Sequence, residues 1–190
     1  CGQPPCRESG SPSSQPLKGR ADIGGCQGAG QGNWKVTGMK KYNKIIFVCE
    51  SGTARAPMAE AIMKEYTLKY PLEIESRGIV VLFPEPLNQK VEAVLISNGI
   101  NAGGQMSQQL SPEDFIPGNL VVVMEEAQKQ KVLGEFGEGS GADVEVLTDL
   151  TGDELEILNP YGGALQSYGL CYETLNKTIK KLVNLINEER

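Results

Sequence analysis

Cys49 and Arg55, separated by Glu50-Ser51-Gly52-Thr53-Ala54, form a C-x5-R segment in a chain of 190 residues that contains no histidine. A thiol and a guanidinium joined by small residues are suited to an anion. Small side chains let successive backbone N–H groups turn inward, and such donors at a helix N-terminus hold a tetrahedral oxyanion such as phosphate. The same field favours thiolate, the nucleophilic form of cysteine. A guanidinium grips two anion oxygens in a fork and stabilises charge in a transition state. The missing histidine removes any Ser-His-Asp or Cys-His pair and any imidazole metal ligand. Spacing alone is unspecific, because Cys1–Arg7 also reads C-x5-R.

The flanking elements separate the two. Lys44–Cys49 is a short β-branched and aromatic run, which predicts a buried strand. After the loop, Pro57 suits the first turn of a helix, and Met58, Ile62 and Tyr66 fall on one face of it. Leu72–Ser76 alternates like a strand. Pro84-Glu85-Pro86 reads as the opening of a second helix, with Leu87, Val91, Val94 and Leu95 as its apolar stripe and Gly99 as its stop. Ser111–Asp114 reads as a short capped helix, Leu120–Met124 and Val144–Leu147 as strands. A last helix runs from about Ala164 to Asn187, with Leu175, Ile179, Leu182, Val183 and Ile186 inward. Strands alternating with helices predict an α/β, three-layer, doubly wound domain around a central four-stranded parallel sheet. In such sheets ligands bind beyond the carboxyl ends of the strands, where Cys49–Arg55 stands. Nothing comparable surrounds Cys1–Arg7.

Residues 1–38 hold 9 Gly, 4 Pro and 4 Ser and three of the five cysteines. Without periodicity, such a segment buries too little apolar surface to offset its ordering entropy, so it reads as a disordered tail or leader with the domain at 39–190. Cys1, Cys6 and Cys26 lack the CxxC-type spacing of a zinc site. A net charge of −6 argues against a nucleic-acid partner, and apolar runs such as Leu120–Met124 are too short to span a membrane.

The stretch Cys49 to Ala61 resembles the phosphate loop and first helix of low-molecular-weight protein tyrosine phosphatases, which read C-x-G-N-x-C-R-S-P-x-A-E-A. The likeness continues through Ser76-Arg77-Gly78, Glu85-Pro86, Ser97–Ile100, Gln109-Leu110 and Val123-Met124. Asn159-Pro160-Tyr161-Gly162-Gly163 then resembles the family's Asp-Pro-Tyr-Gly segment. Coverage runs from about residue 43 to 188. The resemblance implies metal-free, cofactor-free hydrolysis of phosphotyrosine or another aryl phosphomonoester in two steps. By position, Cys49 is the nucleophile that forms a phosphocysteine. Arg55 and the N–H groups of Glu50, Ser51, Gly52, Thr53 and Ala54 cradle the phosphate. Tyr161 lines the mouth or packs its own loop. The implied partner is a phosphorylated protein or a small aryl phosphate, and a reduced cysteine implies the cytoplasm.

Four positions depart from the family pattern. Asn159 stands at the general-acid position, and an amide does not donate a proton as a carboxylic acid does; such a loss costs about 10²–10⁴ in rate. Gly52 replaces an asparagine and Ala56 a serine, both of which usually support the loop or the thiolate. Glu50 puts a carboxylate beside an anion site, where it weakens dianion binding. Asp149, Asp153, Glu154 and Glu156 are the carboxylates nearest Asn159 in sequence, as substitute acids or as a solvated loop. Two classes therefore stay open, a slow phosphatase and a phosphate- or phosphoprotein-binding relative with impaired turnover. A third, arsenate reductase, needs further redox cysteines, and only Cys171 follows Cys49.

Overall fold

The computed structural model describes residues 42–137 and 141–188. The expected boundary between tail and domain at residue 38 lies outside the described residues. Four strands form one parallel sheet: β1 (Lys44–Cys49), β2 (Glu73–Gly78), β3 (Asn119–Val123) and β4 (Asp143–Val146). Their order is β2-β1-β3-β4. The chain leaves β1 for one edge at β2 and returns to the other side of β1 at β3, so the switch point lies beside the end of β1. Register runs from Lys44 opposite Glu73 to Cys49 opposite Gly78, and Val48 lies opposite Val123.

The sheet is covered on both faces, as the continuous apolar strands demand. Ile45, Phe47 and Cys49 of β1 pack with α1 (Arg55–Lys64), α2 (Gln89–Ser97), α4 (Leu147–Thr151) and α5 (Leu165–Glu188). Ile46 and Val48 face the other way, into a smaller cluster with Phe115 and with Val132 of α3 (Glu126–Phe136). This is the three-layer, doubly wound α/β arrangement. Every inward position expected on α5 is buried. Burying each such Leu, Ile or Val contributes about 1.5–3 kcal/mol.

Local differences have identifiable causes. Helix α2 begins at Gln89 rather than at Pro84, because the Asn88 side chain accepts the Lys90 N–H (2.9 Å) and caps it there. The residues before it pair instead as a short bridge, Pro86 opposite Met106. Tyr66 lies beyond the end of α1, and its hydroxyl donates to Asn176 of α5 (2.8 Å). Leu147 begins α4 rather than ending β4. Helices α3 and α4 carry no periodic signal. The first buries only Gln128 and Val132 fully, and the second is five residues long. Two side-chain acceptors, one from its own first turn and one from a distant segment, hold the start of α3 in place. Gln128 takes the Met124 N–H (3.1 Å) and Glu156 takes the Glu126 N–H (2.8 Å).

Candidate active site at the end of the first strand

Where β1 ends, the chain turns through two close backbone approaches. Gly52 has φ +68°, and a Cβ there would stand 2.9 Å from the Gly78 nitrogen. A Cβ on Gly78 would meet the Ser51 carbonyl carbon at 2.7 Å. Glycine at both positions lets the loop lie against the end of β2. The loop is further pinned by Ile79 and Val80, whose N–H groups donate to the Cys49 and Glu50 carbonyls (both 2.9 Å), and by Asn88, whose N–H donates to the Thr53 carbonyl (3.0 Å). Ser51 and Thr53 share a hydroxyl hydrogen bond of 2.9 Å. Every residue from Gly52 to Met63 is buried.

The donors in this turn are left over. The N–H groups of Glu50 through Ala56 have no acceptor among the described residues, and Ala54 supplies no side-chain cap to α1. Buried backbone donors are nearly always satisfied, so the unsatisfied ones of the buried residues Gly52 to Ala56, at an uncapped helix start, mark an anion site. Arg55 adds to it. Its side chain is 3% exposed, and Nη1 alone is committed: it donates to the Glu125 carboxylate and to the Ile157 carbonyl (2.8 Å). Nε and Nη2 have no partner among the described residues, which leaves the forked edge of the guanidinium for an anion.

A cavity of about 410 Å³ opens on this turn. Cys49, Glu50, Ser51, Thr53, Ala54 and Arg55 line it, together with Asn159 and Tyr161. Gly52 does not line it; its place is the contact with Gly78. Tyr161 is 74% exposed, so it stands at the cavity mouth and does not pack its loop. Asn159 shapes that loop by accepting the Tyr161 N–H (3.1 Å). Glu50 is paired with Lys131 (2.6 Å), which offsets the carboxylate beside the anion site. Asp149, Asp153, Glu154 and Glu156 do not line the cavity. Asp153 pairs with Lys181 of α5, and Glu156 is spent on α3.

Two further groups escaped sequence reasoning. Glu125, two residues past the end of β3, orients Arg55, a role no local pattern encodes. Val80, Val81, Leu82, Phe83, Glu85 and Ser107 complete the cavity lining. An available signal was the apolar run Ile79–Phe83, which outlasts β2 and ends at Pro84. Cys171 is buried, and burial pushes its thiol up to about 11, although the Arg55 charge pulls in the opposite direction. Cys49 and Cys171 are both free thiols.

Comparison with known proteins agrees with this geometry. Residues 44–190 match the model of the family described as low molecular weight phosphotyrosine protein phosphatase. The chain belongs to that family. The low molecular weight protein-tyrosine-phosphatase PtpB of Staphylococcus aureus is 31% identical over 143 residues, covering 75% of this chain and 99% of the relative. A protein-arginine-phosphatase of Bacillus subtilis is 28% identical over 150 residues, covering 77% and 98%. Among solved structures, a mutant of the YwlE arginine phosphatase with a phosphorylated active-site serine superposes with a TM-score of 0.70 at 26% identity, covering 77% of this chain and 97% of that one. The low molecular weight protein tyrosine phosphatase of T. tengcongensis gives 0.69 at 28% identity, covering 74% and 97%. In this phosphatase family member, then, the uncapped turn, the half-free guanidinium and the strand-end cysteine surround one cavity.

Proposed function

We propose that the protein hydrolyses phosphotyrosine, or another aryl phosphomonoester on a phosphorylated protein or small molecule, through a phosphocysteine on Cys49. The observation that carries the reading is the set of donors without acceptors among the described residues, the N–H groups of Glu50–Ala56, buried from Gly52 on, and Nε and Nη2 of Arg55, around the cavity that Cys49 lines. The phosphate dianion sits on those donors, which also hold the trigonal-bipyramidal transition state. Cys49 attacks phosphorus from the floor of the cavity. Water then attacks the phosphocysteine and releases inorganic phosphate. Tyr161 and the apolar wall of Leu82 and Phe83 accept the aromatic ring. A reduced Cys49 suits the cytoplasm.

The test is hydrolysis of p-nitrophenyl phosphate by three proteins. Parent protein turns the substrate over, Cys49→Ser abolishes this, and Asn159→Asp raises it. Unchanged activity in Cys49→Ser would sink the assignment. A parent that binds phosphate or vanadate without turnover would favour the binding-only relative.

A second substrate class is favoured by one observation. Relatives of comparable identity are protein-arginine phosphatases, and Glu85 brings a carboxylate to the cavity wall, where a guanidinium is welcome. Phosphoarginine and phosphotyrosine peptides of matched sequence, compared by kcat/KM, decide between the two.

A further inference from the structure

We infer that Glu85 supplies the proton that Asn159 cannot. The inference rests on the phosphatase reading above and deepens it. Two glutamates line the cavity, Glu50 and Glu85. Glu50 is held by Lys131. The Glu85 carboxylate has no hydrogen bond or ion pair among the described residues. Of the carboxylates near Asn159 in sequence, none lines the cavity.

Glu85 is exposed, but its backbone is not loose. Its N–H donates to the Ser107 hydroxyl (2.9 Å) and its carbonyl accepts the Ser107 N–H (2.7 Å), while Ser107 itself is buried. Leu87 N–H donates to the Gln105 carbonyl (3.2 Å), and Asn88 N–H to the Thr53 carbonyl (3.0 Å). Proline on either side, Pro84 and Pro86, fixes φ next to it. The segment is therefore bonded to the phosphate loop itself, so Glu85 lines the cavity from a backbone tied to that loop at Thr53. A general acid needs a proton within reach of the leaving atom, and Glu85 is the cavity-lining glutamate that no cation holds among the described residues.

In the first step the Cys49 thiolate forms the S–P bond as the P–O bond to the phenol breaks. The electron pair of that bond goes to the phenol oxygen, which takes the proton of the Glu85 carboxyl. In the second step the Glu85 carboxylate takes a proton from water as the water oxygen attacks phosphorus. The P–S bond breaks, and thiolate, hydrogen phosphate and the Glu85 carboxyl are restored.

The experiment compares p-nitrophenyl phosphate with phenyl phosphate, whose leaving group is the more basic. In kcat/KM, which reports the first step alone, Glu85→Gln should cost little on the first and about 10²-fold on the second, since p-nitrophenolate departs with little need of a proton. Asn159→Asp on the Glu85→Gln background should restore phenyl phosphate turnover. Parental kcat/KM on both substrates in Glu85→Gln overturns the role, as does a loss confined to KM, which would make Glu85 a recognition residue. A parent that turns over p-nitrophenyl phosphate in a Cys49-dependent way but leaves phenyl phosphate untouched also overturns it. Each of these outcomes leaves the phosphatase reading standing. Absence of Cys49-dependent turnover on both substrates removes that reading and the Glu85 role together.

Discussion

The floor and the rim of the cavity are built by opposite rules. The floor runs from Gly52 into α1, and every residue to Met63 is buried. Its conformation is set from several sides at once, by the Gly52–Gly78 approach, by Asn88, Ile79 and Val80, and by the Glu125 carboxylate on Arg55. The rim is Val80 to Glu85 on one segment and Asn159 to Tyr161 on another, with Leu82, Phe83 and Tyr161 between 74% and 82% exposed. Few contacts constrain those side chains. A site made this way separates two tasks. Holding a phosphate needs donors that are fixed and dry, which only a packed floor provides. Choosing a leaving group needs side chains that change without unfolding the protein, which only an exposed rim permits. Asn159, which the sequence resemblance puts at the family's acid position, lies on the rim.

The comparison breaks first at Arg55. Arg55→Lys keeps one positive charge but loses the fork, so kcat/KM on p-nitrophenyl phosphate should fall about 10²–10³-fold while the fold is kept; a smaller loss means the floor does not need its guanidinium geometry. Next is its support. Glu125→Ala leaves a buried guanidinium short of a partner and should cost about 2 kcal/mol in denaturant unfolding. Activity should fall with it, because Arg55 is freed to turn. Rim substitutions should do the reverse. The double variant Leu82→Ser, Phe83→Ser should raise KM for aryl phosphates several-fold yet move stability by no more than about 0.5 kcal/mol. A stability loss comparable to that of Glu125→Ala would erase the distinction between floor and rim.

The smallest effect is electrostatic and lies away from the cavity. Asp153 is pushed up by its burial but pulled further down by the hydrogen bonds of Lys181 and Thr151, so its carboxyl ends below its ordinary value of 3.8. A folded value below the unfolded one contributes stability above the unfolded pKa, which is lost as pH falls through the folded pKa. Asp153→Asn should therefore lower Tm slightly at neutral pH, and the gap to the parent should close below about pH 4. A gap that stays constant with pH would exclude this carboxylate as the cause.

How much was legible beforehand follows the same division. The α/β alternation and the α5 stripe were readable because a buried face imposes a period on the sequence. So was the place of Cys49 at the end of β1 and of Arg55 at the start of α1, since their spacing is local to one turn. Helix α3 was not, since its capping groups come from Gln128 of its own first turn and from Glu156, thirty residues away. Among the carboxylates near Asn159, sequence distance misled. Asp153 and Glu156 are consumed by Lys181 and by α3, whereas Glu85 reaches the cavity from a different segment.

The order of residues by itself determined the α/β alternation, where the thiol and guanidinium stand along the chain, and that an amide precedes Pro160-Tyr161. All of these depend on neighbours within a few residues. Only the tertiary structure decided that Glu125 takes one edge of Arg55 and leaves the other for an anion. It alone paired Glu50 with Lys131 and brought Glu85, unpaired among the described residues, to the cavity wall. Those outcomes depend on which distant segments the parallel sheet lays side by side. Local pattern carries no record of them, because a hydrogen bond between residues 70 apart imposes no period on either segment.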